Sequence, residues 1–146
     1  MPLLVCGLGQ DLFAIPVYRV DEVLRMAWIT RLPEAPPEVL GCLRLRGGHV
    51  LVIDLACRLG LPTAAMDASQ ILVLVTVRGR RFALRASGVE EFLEGSVEPL
   101  PEGSPSVPCA IGLISTRSGT VPLLDLDAVL HPELVRLAST CGDEKP

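Results

Sequence analysis

Cys42, His49 and Asp54 stand close together in the chain and supply a thiol, an imidazole and a carboxylate, the set that nucleophilic thiol catalysis uses. They fall in a stretch that reads as paired strands, Val39 to Leu45 and Val50 to Asp54, so they can act together only if the fold gathers them. The five cysteines, Cys6, Cys42, Cys57, Cys109 and Cys141, are widely spaced and form no Cys-x-x-Cys pair. They are expected to be reduced thiols and mostly small core residues, Cys42 and Cys57 among them. The two histidines, His49 and His131, lie far apart and in no ligand-spaced cluster, so neither a metal nor another cofactor is expected. No phosphate-binding loop is present, and the glycines sit at turns or strand ends. An enzyme is therefore not expected. Arginine is the other chemistry on offer. Arg46 precedes Gly47-Gly48, where a guanidinium fork could clasp a carboxylate or the carbonyls of a helix end. Arg78, Arg80, Arg81 and Arg85 form a basic cluster that reads either as a hairpin guarding a sheet edge or as a steering patch for an acidic partner.

The chain that must position these groups has 146 residues, about one ordinary domain. It is 49% hydrophobic with a mean hydropathy of +0.46, which excludes disorder. Its aromatic content is only 3%, so Leu, Val and Ile fill the core. A net charge of −4 and few stacking aromatics argue against nucleic acid as a partner. A membrane span needs about 20 continuous apolar residues, and Ile71 to Val77 is already broken by Thr76. With no basic residue before Arg19 the start is unlike a signal peptide, and the chain reads as soluble, unexported and not inserted in a membrane.

The sequence is one unit written twice. A shift of 69 lays Phe13-Ala14-Ile15 on Phe82-Ala83-Leu84 and Val20 to Leu24 on Val89 to Leu93. A shift of 71 lays Gly41 to Leu55 on Gly112 to Leu126, pairing Gly41 with Gly112, Arg46 with Arg117 and Asp54 with Asp125. One domain over 1–146 is expected, with repeat lobes 1–68 and 69–138 and a frayed tail 139–146. Each half has two hairpin signals: Leu3 to Leu8 with Leu12 to Pro16, then Val39 to Leu45 with Val50 to Asp54, and likewise Leu72 to Val77 with Phe82 to Ala86, then Ala110 to Ser115 with Val121 to Asp125. A short strand at Met26 to Arg31 or Ser96 to Pro99 brings each half to about five. Leu55 to Leu59 and Leu126 to Leu130 read as helical turns, with Asp54 and Asp125 as their caps, and Pro132 to Ala138 as a terminal helix. The chain is thus expected to be all-β, a barrel or sandwich.

In order and spacing, Phe13-Ala14-Ile15-Pro16, Val20-Asp21-Glu22-Val23, Leu32-Pro33 with Pro36, Gly41-Cys42-Leu43-Arg44-Leu45-Arg46-Gly47 and Val50-Leu51-Val52-Ile53-Asp54-Leu55 resemble the CheW family of chemotaxis coupling proteins, from Leu3 to about Leu130. The resemblance implies two five-stranded SH3-like barrels packed through an apolar seam. It implies a non-enzymatic adaptor, cytoplasmic and associated with receptor arrays at the inner membrane. Its partners would be the cytoplasmic tip of a methyl-accepting chemoreceptor and the regulatory domain of a CheA-type histidine kinase. The receptor would lie in a groove between the barrels and touch Val20, Glu22, Gly41, Arg46, Gly47, Leu72 and Phe92. Leu72 and Phe92 would floor that groove, and Glu22 could pair with Arg46. The chain departs from the family where Arg44-Leu45-Arg46-Gly47 replaces the usual Asn-Leu-Arg-Gly, and where Arg85-Ala86-Ser87 precedes Gly88. Those departures leave a second reading open, a diverged double barrel that binds a small molecule without a receptor.

Overall fold

The computed structural model describes residues 1–102 and 108–142. Its strands are β1 (Pro2–Leu8), β2 (Asp11–Pro16), β3 (Val20–Arg25), β4 (Ile29–Thr30), β5 (Val39–Leu45), β6 (Gly48–Asp54), β7 (Ile71–Val77), β8 (Arg80–Ala86), β9 (Gly88–Glu94), β10 (Ala110–Thr116) and β11 (Gly119–Leu124). Two single-turn helices, α1 (Leu55–Arg58) and α2 (Leu126–Val129), close the two halves, and α3 (Pro132–Gly142) ends the fold. The four expected hairpins are present. β3 and β9 are strands that the sequence marks only as repeats of each other, because their mixed apolar and acidic residues carry no clean alternation. The terminal helix continues past Ala138 through residues expected to fray, and 143–146 lie outside the described residues.

The sheets do not follow the division at residue 69. One sheet runs β10-β11-β2-β1-β9 and the other β3-β7-β8-β6-β5-β4. Each half lends its first hairpin to the other half's barrel. β2 lies parallel to β11 through Ala14 and Leu123, and β8 lies parallel to β6 from Leu51–Phe82 to Asp54–Arg85. Neither half completes a barrel alone.

This exchange explains the unbroken apolar runs. A strand buried on both faces has no polar side to show. Along β7, Leu72 and Leu74 point into one barrel with Val50, Val52 and Ala83, while Val73, Val75 and Val77 point into the seam. Along β1, Leu3 and Val5 enter the other barrel with Ile114 and Val121, while Leu4 and Cys6 join the seam. The molecule is an all-β double barrel whose largest apolar cluster lies between the barrels, where α3 adds Leu134 and Ala138.

α3 also corrects the reading of the cysteines. It packs on β6 and β8, which lowers its last turn toward β5, and Cys141 is disulfide-bonded to Cys42 there. Cys6, Cys57 and Cys109 are free.

Candidate functional site

Gly41 has a backbone reason to be glycine. Its φ is 145°, the β5–β6 register slips between Val39 and Gly41, and a Cβ there would run into the Thr30 carbonyl oxygen. Gly112 repeats the arrangement: the β10–β11 register slips beside it, and a Cβ would meet Val97 and, at 2.8 Å, the Glu98 carbonyl oxygen. Both glycines let a short edge segment cross closely and close a barrel. Gly41 is buried and seats β4.

Arg46 and Gly47 form the turn between β5 and β6, both exposed, with Gly47 at φ 91°. Because β6 and β8 run parallel, this tip lies beside the β7–β8 tip, Arg78-Gly79. Val20 pairs with Val75 near that same end of β7, and exposed Glu22 pairs with Leu74. Beside Glu22, the Thr76 hydroxyl donates to the Asp21 carboxylate at 2.6 Å. Four of the proposed receptor residues, Val20, Glu22, Arg46 and Gly47, therefore belong to one end of one sheet. Exposed Arg44, Arg46, Arg78 and Arg81, with half-buried Arg80, make that end strongly basic. No ion pair joins Glu22 to Arg46 among the described residues.

Of the other three expected contacts, Gly41 is buried in β5, and Leu72 and Phe92 are elsewhere. Leu72 is fully buried in a barrel interior, so it packs the core and floors no groove. Phe92 is 67% exposed, but on β9, an end strand of the other sheet. The seam between the barrels is itself filled by Leu4, Phe13, Leu51, Ile53, Val73 and Phe82 among others, so the expected groove along it is closed. Crevices persist at its rim. One of about 470 Å³ is lined by Leu8, Phe13, Leu61 and Val121, and one of about 290 Å³ by Gln10, Asp54, Gln70 and Arg85. Neither includes Val20, Glu22, Arg46 or Phe92.

Arg85 is not part of the surface basic cluster. It is buried and donates through Nη2 to Asp54 Oδ2 at 2.9 Å, both side chains about 5% exposed. Asp54 consequently makes no cap to α1, whereas Asp125 caps α2 through the Asp127 N–H. The Asp54 Oδ1 oxygen is buried without a hydrogen-bond partner among the described residues.

The thiol chemistry raised by Cys42, His49 and Asp54 fails on geometry. The Cys42 sulfur is bonded to Cys141, and the Asp54 carboxylate is held by Arg85. The free thiols at positions 6 and 57 are not activated either. Burial pushes Cys6 up to about 12, and burial followed by the charges of Asp54 and Glu38 raises Cys57. Among the described residues no group of three or more His, Cys, Asp or Glu could hold a metal, and no helix is long and apolar enough to cross a membrane.

One exposed group went unrecognised in the sequence. Trp28, in the bend between β3 and β4, is 88% exposed. It falls within the expected strand from Met26 to Arg31, of which only Ile29–Thr30 is strand. The available signal was the repeat itself, which puts Ser96 in its place.

The CheW-like domain family model matches residues 2–134. A probable chemotaxis protein CheW from Rhizobium etli is 27% identical over 132 residues, covering 87% of this chain and 85% of that protein. The chemotaxis protein CheW of Rhizobium meliloti is 26% identical over 136 residues, covering 90% and 88%. The crystal structure of the scaffolding protein TtCheW from Thermoanaerobacter tengcongensis superposes with a TM-score of 0.81 at 23% identity, covering 91% of this chain and 89% of that one. That last likeness is one of fold.

Proposed function

Since the chain belongs to the CheW-like domain family, we propose that it is a non-enzymatic adaptor coupling the cytoplasmic tip of a chemoreceptor to the regulatory domain of a CheA-type histidine kinase. The observation that carries this reading is the family match from residue 2 to residue 134, which takes in both barrels and the seam. The adaptor works on the cytoplasmic face of receptor arrays at the inner membrane.

The receptor contact is assigned to the basic end of the β3-to-β4 sheet. Arg46 on its turn supplies a fork for a carboxylate or for helix-end carbonyls, and Gly47 gives the turn its bend. Glu22 offers the opposite charge to a basic receptor residue, and Val20 borders it. Gly41 and Leu72 act from beneath, by seating β4 and by filling the barrel. Phe92 is reached only by a partner that extends onto the second sheet.

The test is a pull-down of the purified chain with a receptor signalling fragment and, separately, with a CheA regulatory domain. Both are expected to bind; a well-folded sample that binds neither removes the reading. Arg46→Glu is expected to weaken receptor capture at least tenfold and to leave the thermal midpoint within about a degree, because an exposed turn residue contributes little to stability. A large fall in the midpoint would make Arg46 structural instead.

A further inference from the structure

Asp54 and Arg85 sit at the far end of β6 and β8 from Arg46, where the two parallel strands bring them side by side. Both are buried. Asp54 Oδ2 accepts from Arg85 Nη2 at 2.9 Å, while Asp54 Oδ1 has no hydrogen-bond partner among the described residues. A guanidinium carries five N–H donors, so the bond to Asp54 leaves Arg85 with donors for a ligand. The repeat shows that a barrel can close without this pair. A shift of 69 puts Pro16 in the place of Arg85, and Asp125, the copy of Asp54, is left to cap α2. A buried ion pair with an unmatched oxygen is a costly arrangement, and it stands in one copy only.

The pair lines a crevice of about 290 Å³, room for about ten waters at the ~30 Å³ each occupies in the liquid. Its walls are tied in place. On one side the Ser87 hydroxyl accepts from the Gly9 N–H and the Ser87 N–H donates to the Gly7 carbonyl oxygen, both at 2.8 Å, which fastens the β1–β2 turn to the end of β8. On the other, the buried Gln70 side chain donates to the Ala65 carbonyl oxygen at 3.0 Å and accepts from the Asp67 N–H at 3.1 Å, which holds the loop that supplies Thr63 and Ala64 to the lining. Leu8, Ala56 and Ala86 make much of the rest apolar, and exposed Asp11 also lines it.

We propose that this crevice binds an α-amino acid with a small apolar side chain, its ammonium donating to Asp54 Oδ1 and its carboxylate accepting from Arg85. The unmatched oxygen requires a donor and the guanidinium an acceptor. Because the two belong to one ion pair, the ligand must carry donor and acceptor on neighbouring groups. The pair brings no net charge, so it suits a ligand that is neutral overall, as a zwitterion is. Leu8, Ala56 and Ala86 receive the apolar side chain, and Asp11 repels an acidic one. A few convergent polar groups in a mostly apolar hollow are the usual form of a small-molecule site. The site is at the opposite end of the sheet from Arg46 and Gly47, so one chain can hold both contacts.

Calorimetric titration of the purified chain with L-valine should show one site per chain, and about 10 mM L-valine should raise the thermal midpoint. Isobutylamine, which lacks the carboxylate, and isovalerate, which lacks the ammonium, should each bind roughly tenfold more weakly or worse, because each leaves one buried group unmatched. L-Glutamate should not bind. In amide NMR spectra L-valine should shift Gly9, Ala86 and Ser87 and leave Arg46 and Gly47 in place. Asp54→Leu with Arg85→Met replaces the pair by apolar residues and should abolish binding while receptor capture is retained. Thr63→Trp, at an exposed position, fills the crevice and serves as a second variant if the double one is poorly folded by circular dichroism. The inference is overturned if L-valine moves none of those three amides, if isobutylamine or isovalerate binds as tightly as L-valine, or if the variants bind it like the wild-type chain. Arg46→Glu should bind L-valine unchanged, so this result and the receptor result are read separately.

Discussion

A buried carboxylate with one oxygen occupied is an expensive feature, and Asp54 has that form. Its Oδ2 accepts from Arg85 while Oδ1 is unmatched among the described residues. Removing one member of a buried pair leaves an uncompensated charge and typically costs about 3–5 kcal/mol, whereas an apolar pair of similar volume is often neutral or better. Arg85→Met should therefore lower unfolding stability by about 3–5 kcal/mol, and Asp54→Leu with Arg85→Met should recover most of it. A urea double-mutant cycle measures the difference; a double variant no more stable than the single would show that the pair is needed for packing. Sequence could not show this pairing, because Asp54 and Arg85 meet only through the parallel contact of β6 with β8. Read locally, Asp54 matched Asp125, and only Asp125 turned out to cap a helix. Cys6 supports a second prediction. Its folded value of about 12 lies above the unfolded 9, so between those values the unfolded chain loses a proton that the folded chain keeps. Its contribution is complete below pH 9 and is lost as pH rises toward 12, at about 1.4 kcal/mol per pH unit. Urea midpoints at pH 8 and pH 10 should fall more steeply for the wild-type chain than for Cys6→Val. Equal slopes would mean that the thiol is not shielded.

Elements are where the repeat is most informative. Paired hairpins at matching places were legible because a hairpin needs only local signals, two apolar runs and a glycine-bearing turn. The exchange of those hairpins was not legible, since the same local pattern serves whether β1 and β2 join their own half or the other. The repeated glycines were visible in sequence, but their task emerges only from the closeness of Thr30 and Glu98. A methyl at Gly41 must displace backbone and also adopt a positive φ, so Gly41→Ala should cost about 3 kcal/mol. At Gly112 the crossing is again close, and about 2 kcal/mol is expected. Gly47 has positive φ but open space around it, so Gly47→Ala should cost about 1 kcal/mol. Denaturant midpoints of the three variants check the ranking. If Gly41→Ala were no worse than Gly47→Ala, the glycine would not be what seats β4. The same comparison bears on the receptor site, because a loss of receptor binding in Gly41→Ala would then report a misplaced edge strand rather than a lost contact.

At the scale of the molecule, strand exchange makes the two barrels one folding unit, and the Cys42–Cys141 bond ties the last helix across that unit. The bond was the feature least accessible from sequence. An odd count of cysteines without short spacing reads as thiols, and the approach of Cys141 to β5 depends on how α3 lies over β6 and β8. The two cysteines are 99 residues apart. Closing a loop of that length restrains the unfolded chain, and the chain-entropy estimate for such a loop is close to 5 kcal/mol, with typical measured values of 2–4 kcal/mol. Breaking it should therefore lower stability by about 3 kcal/mol without unfolding the barrels, whose cores are built from other residues. Two measurements check this together. Thiol titration of the unreduced, denatured chain should find three free thiols out of five. Cys42→Ser, Cys141→Ser and the double variant should share one lowered urea midpoint, and reductant should bring the wild-type chain down to it while leaving the variants where they are. Five titratable thiols, or a midpoint indifferent to reductant, would mean that α3 is held by Leu134 and Ala138 in the seam and not by sulfur.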